Sequence, residues 1–150
     1  MTHSVFTYGT LQVPAIMAAV TGIQPGFEEA ILPGHACFRM EHRIYPGAVP
    51  ADDSYIRGRL YLGIDDPVLN YLDAFEDVLY ERQLLAVMAS NITVKAQVYI
   101  VAEGYRHLLL SEPWDIEEFK SKHLVRYLES CHKFYNGISR AGKNRGLSRE

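Results

Sequence analysis

Cysteine is scarce in this chain, and its two thiols, Cys37 and Cys131, stand far apart. They form neither a CxxC pair nor a zinc-type spacing. His35, His42 and His107 show no ligand spacing either, so no metal site is expected. Gly-rich phosphate loops of the P-loop or GxGxxG kind are missing. No internal repeat or low-complexity run is present. No stretch approaches the ~20 apolar residues that cross a membrane. The opening Met-Thr-His-Ser-Val-Phe lacks the basic segment and apolar run of a signal peptide. A cytoplasmic protein with no membrane partner is the expectation. Excess charge is also lacking: a net −3 provides no strong field for nucleic acid.

What is there fits one domain. The chain has 150 residues, 48% apolar and 22% charged, enough for a sizeable core. Ten tyrosines are many for this length. Tyr carries a large apolar body with a polar tip, useful in a pocket, and it also favours strands. The charge is unevenly spread. Residues 137–150 carry Arg140, Lys143, Arg145 and Arg149 against Glu150, a net +3, leaving −6 on the remainder. A folded domain over 1–136 and a basic, flexible tail over 137–150 are expected, since the tail has little apolar surface to bury.

Local signals outline the elements. Val5 to Tyr8 is β-branched and aromatic, within a strand expected from His3 to Tyr8 that ends at Gly9. Pro14 suits the first turn of a short helix closed at Thr21-Gly22. Phe27 to Met40 reads as strand bent at Pro33-Gly34. Ile44 to Pro50, with two prolines, reads as irregular or edge, and Asp52-Asp53-Ser54 as a turn. Tyr55 to Ile64 reads as a strand whose Gly58 marks a bulge or a close backbone approach. Arg57 and Arg59 alternate outward from it, unless a bulge turns Arg59 inward. Asp65 or Asp66 caps a helix with Pro67 in its first turn. Two strands, Tyr80 to Met88 and Thr93 to Val101, pair across Ser90-Asn91. A last helix, opened by Asp115, runs to about Tyr135 with Ile116, Phe119, His123, Tyr127 and Cys131 on one face. On that face His123 reads as a core histidine. Locally paired strands argue for an α+β barrel or mixed sheet over a doubly wound sheet.

One carboxylate stands out. At about 100° per residue, Val68, Leu69, Leu72 and Phe75 cover one side of their helix. Glu76 falls within that arc, Asp73 at its edge, and Asp77 away from it. Burial raises a carboxyl pKa, and so does a helix C-terminus. Both suit a general acid/base near neutral pH. Two arrangements fit the wheel: Glu76 turned inward, or Glu76 swung out or paired with Arg82. A second feature is the strand-to-helix junction Tyr8-Gly9-Thr10-Leu11. Glycine there lets a ligand approach the backbone, and N–H groups at a helix start hold carboxylates. Such a loop can grip an amino-acid-like substrate through main-chain bonds.

Val5-Phe6-Thr7-Tyr8-Gly9-Thr10-Leu11 resembles the YGTL signature of the γ-glutamylcyclotransferase-like family. Leu72 to Arg82 resembles its LDxFE…Y.R segment. Tyr45 to Pro50, Gly58 to Gly63 and Trp114 to Phe119 resemble the AIG2-like branch in the same order. The resemblance implies a small mixed β-barrel flanked by helices. It also implies a cofactor-independent cyclisation of a small γ-glutamyl substrate to 5-oxoproline. On that basis Glu76 is the catalytic residue, and Tyr8, Gly9, Thr10 and Leu11 hold the γ-glutamyl group, with Pro46 and Gly47 at the pocket. Gln12-Val13-Pro14 departs from the basic residue and glycine that many members carry after YGTL, and Leu79 from an acidic or small residue. Tyr99 and Tyr105 read as structural, though their hydroxyls can reach substrate. Two other functions compete: a related γ-glutamyl acyl-transfer enzyme on a larger substrate, and a non-catalytic module binding a γ-glutamyl-type ligand. Glu76 buried in a pocket beside the Tyr8–Leu11 backbone favours the cyclotransferase. Glu76 exposed, or paired to Arg82, favours the binding module.

Overall fold

The computed structural model describes the backbone of residues 1–149 and the side chains of residues 1–139. Five strands close into a barrel in the order β1-β3-β2-β4-β5. They are β1 (Thr2–Thr7), β2 (Phe27–Arg39), β3 (Pro46–Asp65), β4 (Tyr80–Ala89) and β5 (Ile92–Val101). Neighbours are antiparallel except at the closure, where β1 lies parallel to β5 through Val5↔Gln97 and Phe6↔Val98. Four α-helices flank the barrel: α1 (Pro14–Thr21), α2 (Asp66–Glu76), α3 (Ile116–Lys122) and α4 (Leu124–Arg149). The expected α+β class, a mixed barrel with flanking helices, is the fold observed.

Strand side chains alternate between faces, which creates two cores. Phe6, Leu32, Leu60, Val98 and Ile100 belong to one cluster. Their sequence neighbours Val5, Tyr61 and Tyr99 belong to a second, shared with Ile16 and Met17 of α1, Leu69 and Leu72 of α2, and Phe119 and Cys131 of α3 and α4. The second core is what fixes the helices against the barrel. Gly58 is required between the strands, because a Cβ there would strike the Thr7 carbonyl oxygen and the Phe6 ring. The close approach expected from the sequence is therefore the reason for that glycine.

Local chemistry sets the helix that matters most. The Asp65 carboxylate accepts the Val68 N–H at 3.0 Å and caps α2, with Pro67 in its first turn. Asp66, left free of capping, accepts a 2.6 Å hydrogen bond from His3. The β4–β5 hairpin turns at Ser90 and Asn91, with φ of 50° and 63°. Left-handed values at both residues are those of a type I′ turn.

Several expectations need correction. Pro46 to Pro50 is not irregular, and Asp52-Asp53-Ser54 does not end a strand: both lie within the single 20-residue β3. Pairing with β2 shifts register between Pro33 and His35, and Asp53 absorbs the bend at φ 60°. Pro46 opens the strand and Pro50 lies beside the shift, places where a missing N–H is tolerated. The last helix is two helices, broken at His123, which adopts φ −126° and ψ −16°. His123 is half-buried beside the Phe119 ring at this bend, so it is not the core histidine expected. Finally, α4 passes the expected end near Tyr135 and reaches Arg149. The side chains of Arg140, Lys143, Arg145 and Arg149, and Glu150 altogether, lie outside the described residues, as does the expected flexibility they were to confer. Among the described residues no helix is long and apolar enough to cross a membrane.

Candidate active site

A cavity of about 210 Å³ opens where β1 runs into its following loop, facing the C-terminal end of α2. Tyr8, Gly9, Thr10 and Leu11 form one wall, and Glu76, Phe75 and Leu79 another. Tyr45, Pro46, Tyr80, Tyr99 and Tyr127 complete it with Phe6 and Thr7. Five tyrosines thus surround a single carboxyl group, and among the described residues no Lys, Arg or His contributes to the lining.

The loop is held from behind through its carbonyls. Tyr61 Oη donates to Leu11 O at 2.7 Å, and Arg59 Nη1 donates to Gln12 O at 2.9 Å. Gly9 O accepts from Gln12 N at 3.1 Å and from Gln12 Nε2 at 3.2 Å. Arg59 keeps the expected outward alternation along β3 and serves as a strut over the barrel's outer face, paired to Glu29 and with its guanidinium carbon 4.4 Å from the Phe27 ring centroid. With the carbonyls so engaged, the N–H groups of Gly9, Thr10 and Leu11 have no acceptor among the described residues. Three consecutive unpartnered donors on a cavity wall form a ready anion cradle. Gly9 is needed because a Cβ there would lie 3.0 Å from Pro46 Cδ.

Tyr8 contributes mainly through its main chain. Its hydroxyl is committed elsewhere, donating to Tyr99 O at 2.5 Å and accepting from Ala48 N at 3.1 Å. Thr10 Oγ1 donates to Tyr127 Oη at 3.2 Å, which ties the loop to α4. Tyr80 Oη donates to Pro46 O at 2.6 Å and so sets the opposite rim. Pro46 lines the cavity as expected. Gly47 does not: the space where its Cβ would stand is filled by Val101, Met40 and Leu109, so this glycine serves packing behind the wall.

Glu76 ends α2, facing the cavity, half-buried and free of any ion pair among the described residues. Burial among the aromatic walls pushes its carboxyl pKa up to about 8. The helix C-terminus acts in the same direction. Arg82 does not pair with it. The guanidinium instead grips Asp73 in two bonds, Nε to Oδ1 at 2.8 Å and Nη2 to Oδ2 at 3.2 Å. Tyr99 Oη adds a 2.6 Å bond to Asp73 Oδ1. Asp77, next after Glu76, is exposed and takes the left-handed φ of 57°. The hydroxyls of Tyr8 and Tyr80 have raised pKa values, first through burial, with Glu76 among the further contributors.

The wheel thus selects the carboxyl that reaches the cavity, and the Tyr8–Leu11 loop is brought beside it. What sequence reasoning missed is most of the aromatic wall: Tyr45 and Tyr80 received no role of their own, Phe75 and Tyr127 only places on apolar helix faces, and Tyr99 a structural reading with a hydroxyl able to reach substrate. They come from separate segments that share no motif spacing; the abundance of tyrosine was their one signal. Tyr105 is not part of the cavity. Among the described residues no group of His, Cys, Asp and Glu is arranged to hold a metal.

A closed mixed barrel with flanking helices, and a cavity between the loop after β1 and a half-buried Glu at a helix end, define a small pocket protein. Residues 5–116 match the family described as gamma-glutamyl cyclotransferase, AIG2-like, and the chain belongs to that family. The AIG2-like protein D of Arabidopsis thaliana is 34% identical over 135 residues, covering 88% of each chain. A solution structure of another Arabidopsis thaliana protein superposes with a TM-score of 0.67 at 28% identity, covering 85% of this chain and 87% of that one. A structure titled gamma-glutamyl cyclotransferase shares the fold, with a TM-score of 0.62 over 87% of this chain and 86% of its own at 12% identity.

Proposed function

We propose that this protein is a γ-glutamyl cyclotransferase, converting a γ-glutamyl amino acid, amine or peptide into 5-oxoproline and a free amine. The observation that carries the reading is the unpaired Glu76 carboxyl facing the same cavity as the unpartnered N–H groups of Gly9, Thr10 and Leu11.

The reaction is an intramolecular aminolysis. The substrate α-amine arrives as an ammonium ion and is not nucleophilic. Glu76 as carboxylate accepts one of its protons, and the freed amine attacks the γ-carbonyl carbon. As the tetrahedral centre collapses, the C–N bond to the leaving amine breaks and protonated Glu76 delivers its proton to that nitrogen; the regenerated carboxylate then takes the remaining extra proton from the ring nitrogen and passes it to the departing amine, which leaves as ammonium. A carboxyl with a pKa near 8 is basic enough for the first step and acidic enough for the second. The Gly9–Leu11 N–H groups suit the substrate carboxylate or the developing oxyanion, because the cavity has no cation to do either. The aromatic walls favour the folded conformer in which amine and carbonyl meet. Arg82 bound to Asp73, and not to Glu76, weighs against the binding-module alternative.

The test is a panel of γ-glutamyl amino acids, γ-glutamyl-ε-lysine and glutathione, with 5-oxoproline release as readout. Wild type is expected to release 5-oxoproline from at least one member. Glu76→Gln is expected to lower kcat/KM by ~10²–10⁴. Ligand binding without release, in both proteins, would establish the binding module. Release from larger γ-glutamyl compounds alone would establish the acyl-transfer alternative.

A further inference from the structure

The Asp73–Arg82 pair lies at the edge of the cavity without lining it. Three elements meet there: Asp73 from α2, Arg82 from β4, and Tyr99 and Gln97 from β5. Every nitrogen of the guanidinium is occupied. Nε and Nη2 take the two oxygens of Asp73, and Nη1 donates to Gln97 Oε1 at 2.9 Å. Tyr99 closes the set by donating to Asp73 while lining the same cavity as Glu76. Asp73 and Glu76 are three residues apart on one helix, so they are neighbours on its surface.

We propose that Asp73 is a positioning residue that keeps the positive charge of Arg82 in a neutral pair and away from Glu76, so that the catalytic carboxyl stays unpartnered in its cavity. This rests on the cyclotransferase reading of Glu76. The groups facing Glu76 support it. Tyr8 from the β1 end, Tyr45 ahead of β3, Tyr80 from β4, Tyr99 from β5 and Tyr127 from α4 surround that carboxyl, and among the described residues no cation lines the cavity. Arg82 is linked to the cavity wall through Asp73 and Tyr99, and Asp73, three residues before Glu76, is the group that balances its charge. Asp77, on the same stretch as Glu76, is exposed and lies outside the lining.

A charge-balancing role makes predictions of opposite sign that a purely structural role does not. The measurement is the titration midpoint of the Glu76 carboxyl in substrate-free protein, followed by 13C NMR and assigned with Glu76→Gln. Asp73→Asn leaves Arg82 uncompensated, and the midpoint is expected to fall by about one pH unit. Arg82→Met leaves Asp73 uncompensated, and the midpoint is expected to rise. The double variant Asp73→Asn, Arg82→Met, neutral again, is expected to return close to wild type. An unchanged midpoint in both single variants, or a double variant that does not return, would overturn the proposal. Should Asp73→Asn fail to fold, Arg82→Met alone decides: a rise supports the role and no rise overturns it. The readout needs no turnover, so shifts as expected without 5-oxoproline release would sink the cyclotransferase reading alone.

Discussion

Glu76 gains chemical usefulness from a location that weakens the fold. Its carboxyl titrates near 8 in the folded protein and near 4.3 in an unfolded chain. Below about pH 4 both states are protonated and the group costs nothing. As pH rises from about 4 to 8 the unfolded state ionises first, and stability is lost through that window. Glu76→Gln removes this dependence. The variant should unfold at the same temperature as wild type at pH 4. At pH 8 it should be more stable by about 2 kcal/mol, a value reduced for the carboxyl's contact with solvent in the cavity. Thermal melts at the two pH values check it; a variant less stable at pH 8 would contradict the burial. This residue was legible in the sequence because helical spacing set it among Leu69, Leu72 and Phe75. The tyrosines around it were not, because a wall assembled from β1, β4, β5 and α4 has no periodicity along the chain.

Single elements carry the next level of detail. α2 ends abruptly: Asp77 takes φ 57° and ψ −154°, a region that only glycine enters without strain. The turn redirects the chain immediately after Glu76, so that Tyr80 can start β4. Asp77→Gly should relieve the strain and stabilise the protein by about 1 kcal/mol. The expected readout is a higher denaturation midpoint with unchanged m-value. Element boundaries set by local chemistry were readable in advance, as with the Asp65 cap, Pro67, and the Ser90-Asn91 turn. Those set by tertiary pairing were not. The prolines and the Asp52-Asp53-Ser54 run argued for a break, yet pairing with β2 carries β3 through all of them. Likewise, unbroken apolar spacing from Ile116 to Cys131 concealed the bend at His123.

At the scale of the whole molecule, the barrel is drawn tight where β1 crosses β3. Gly58 sits against the Thr7 carbonyl and the Phe6 ring, and backbone cannot yield as a flexible side chain can. Gly58→Ala should destabilise the protein by about 2–4 kcal/mol through overpacking. It should also move the Tyr8–Leu11 loop, whose chain leaves the barrel just beyond Thr7. Loss of stability and of turnover together, against Asp77→Gly as a stabilised control, is the expected pattern. The α+β class was legible from the local pairing of successive strands, and the barrel from the family resemblance. The parallel seam was not, since nothing in β1 or β5 alone announces a parallel partner ninety-two residues away, Val5 with Gln97.

That parallel seam gives the protein a particular history each time it is made. β1 leaves the ribosome well before β5, and it cannot find its second neighbour until residues 97 and 98 have emerged. Contacts so distant in sequence form slowly, because a long loop must close before they are rewarded. The Tyr8 hydroxyl bonded to the Tyr99 carbonyl spans the same interval. The cavity is thus a late acquisition: a nascent chain cut short before β5 carries Tyr8–Leu11 and Glu76 in its sequence, yet has no barrel to bring them together.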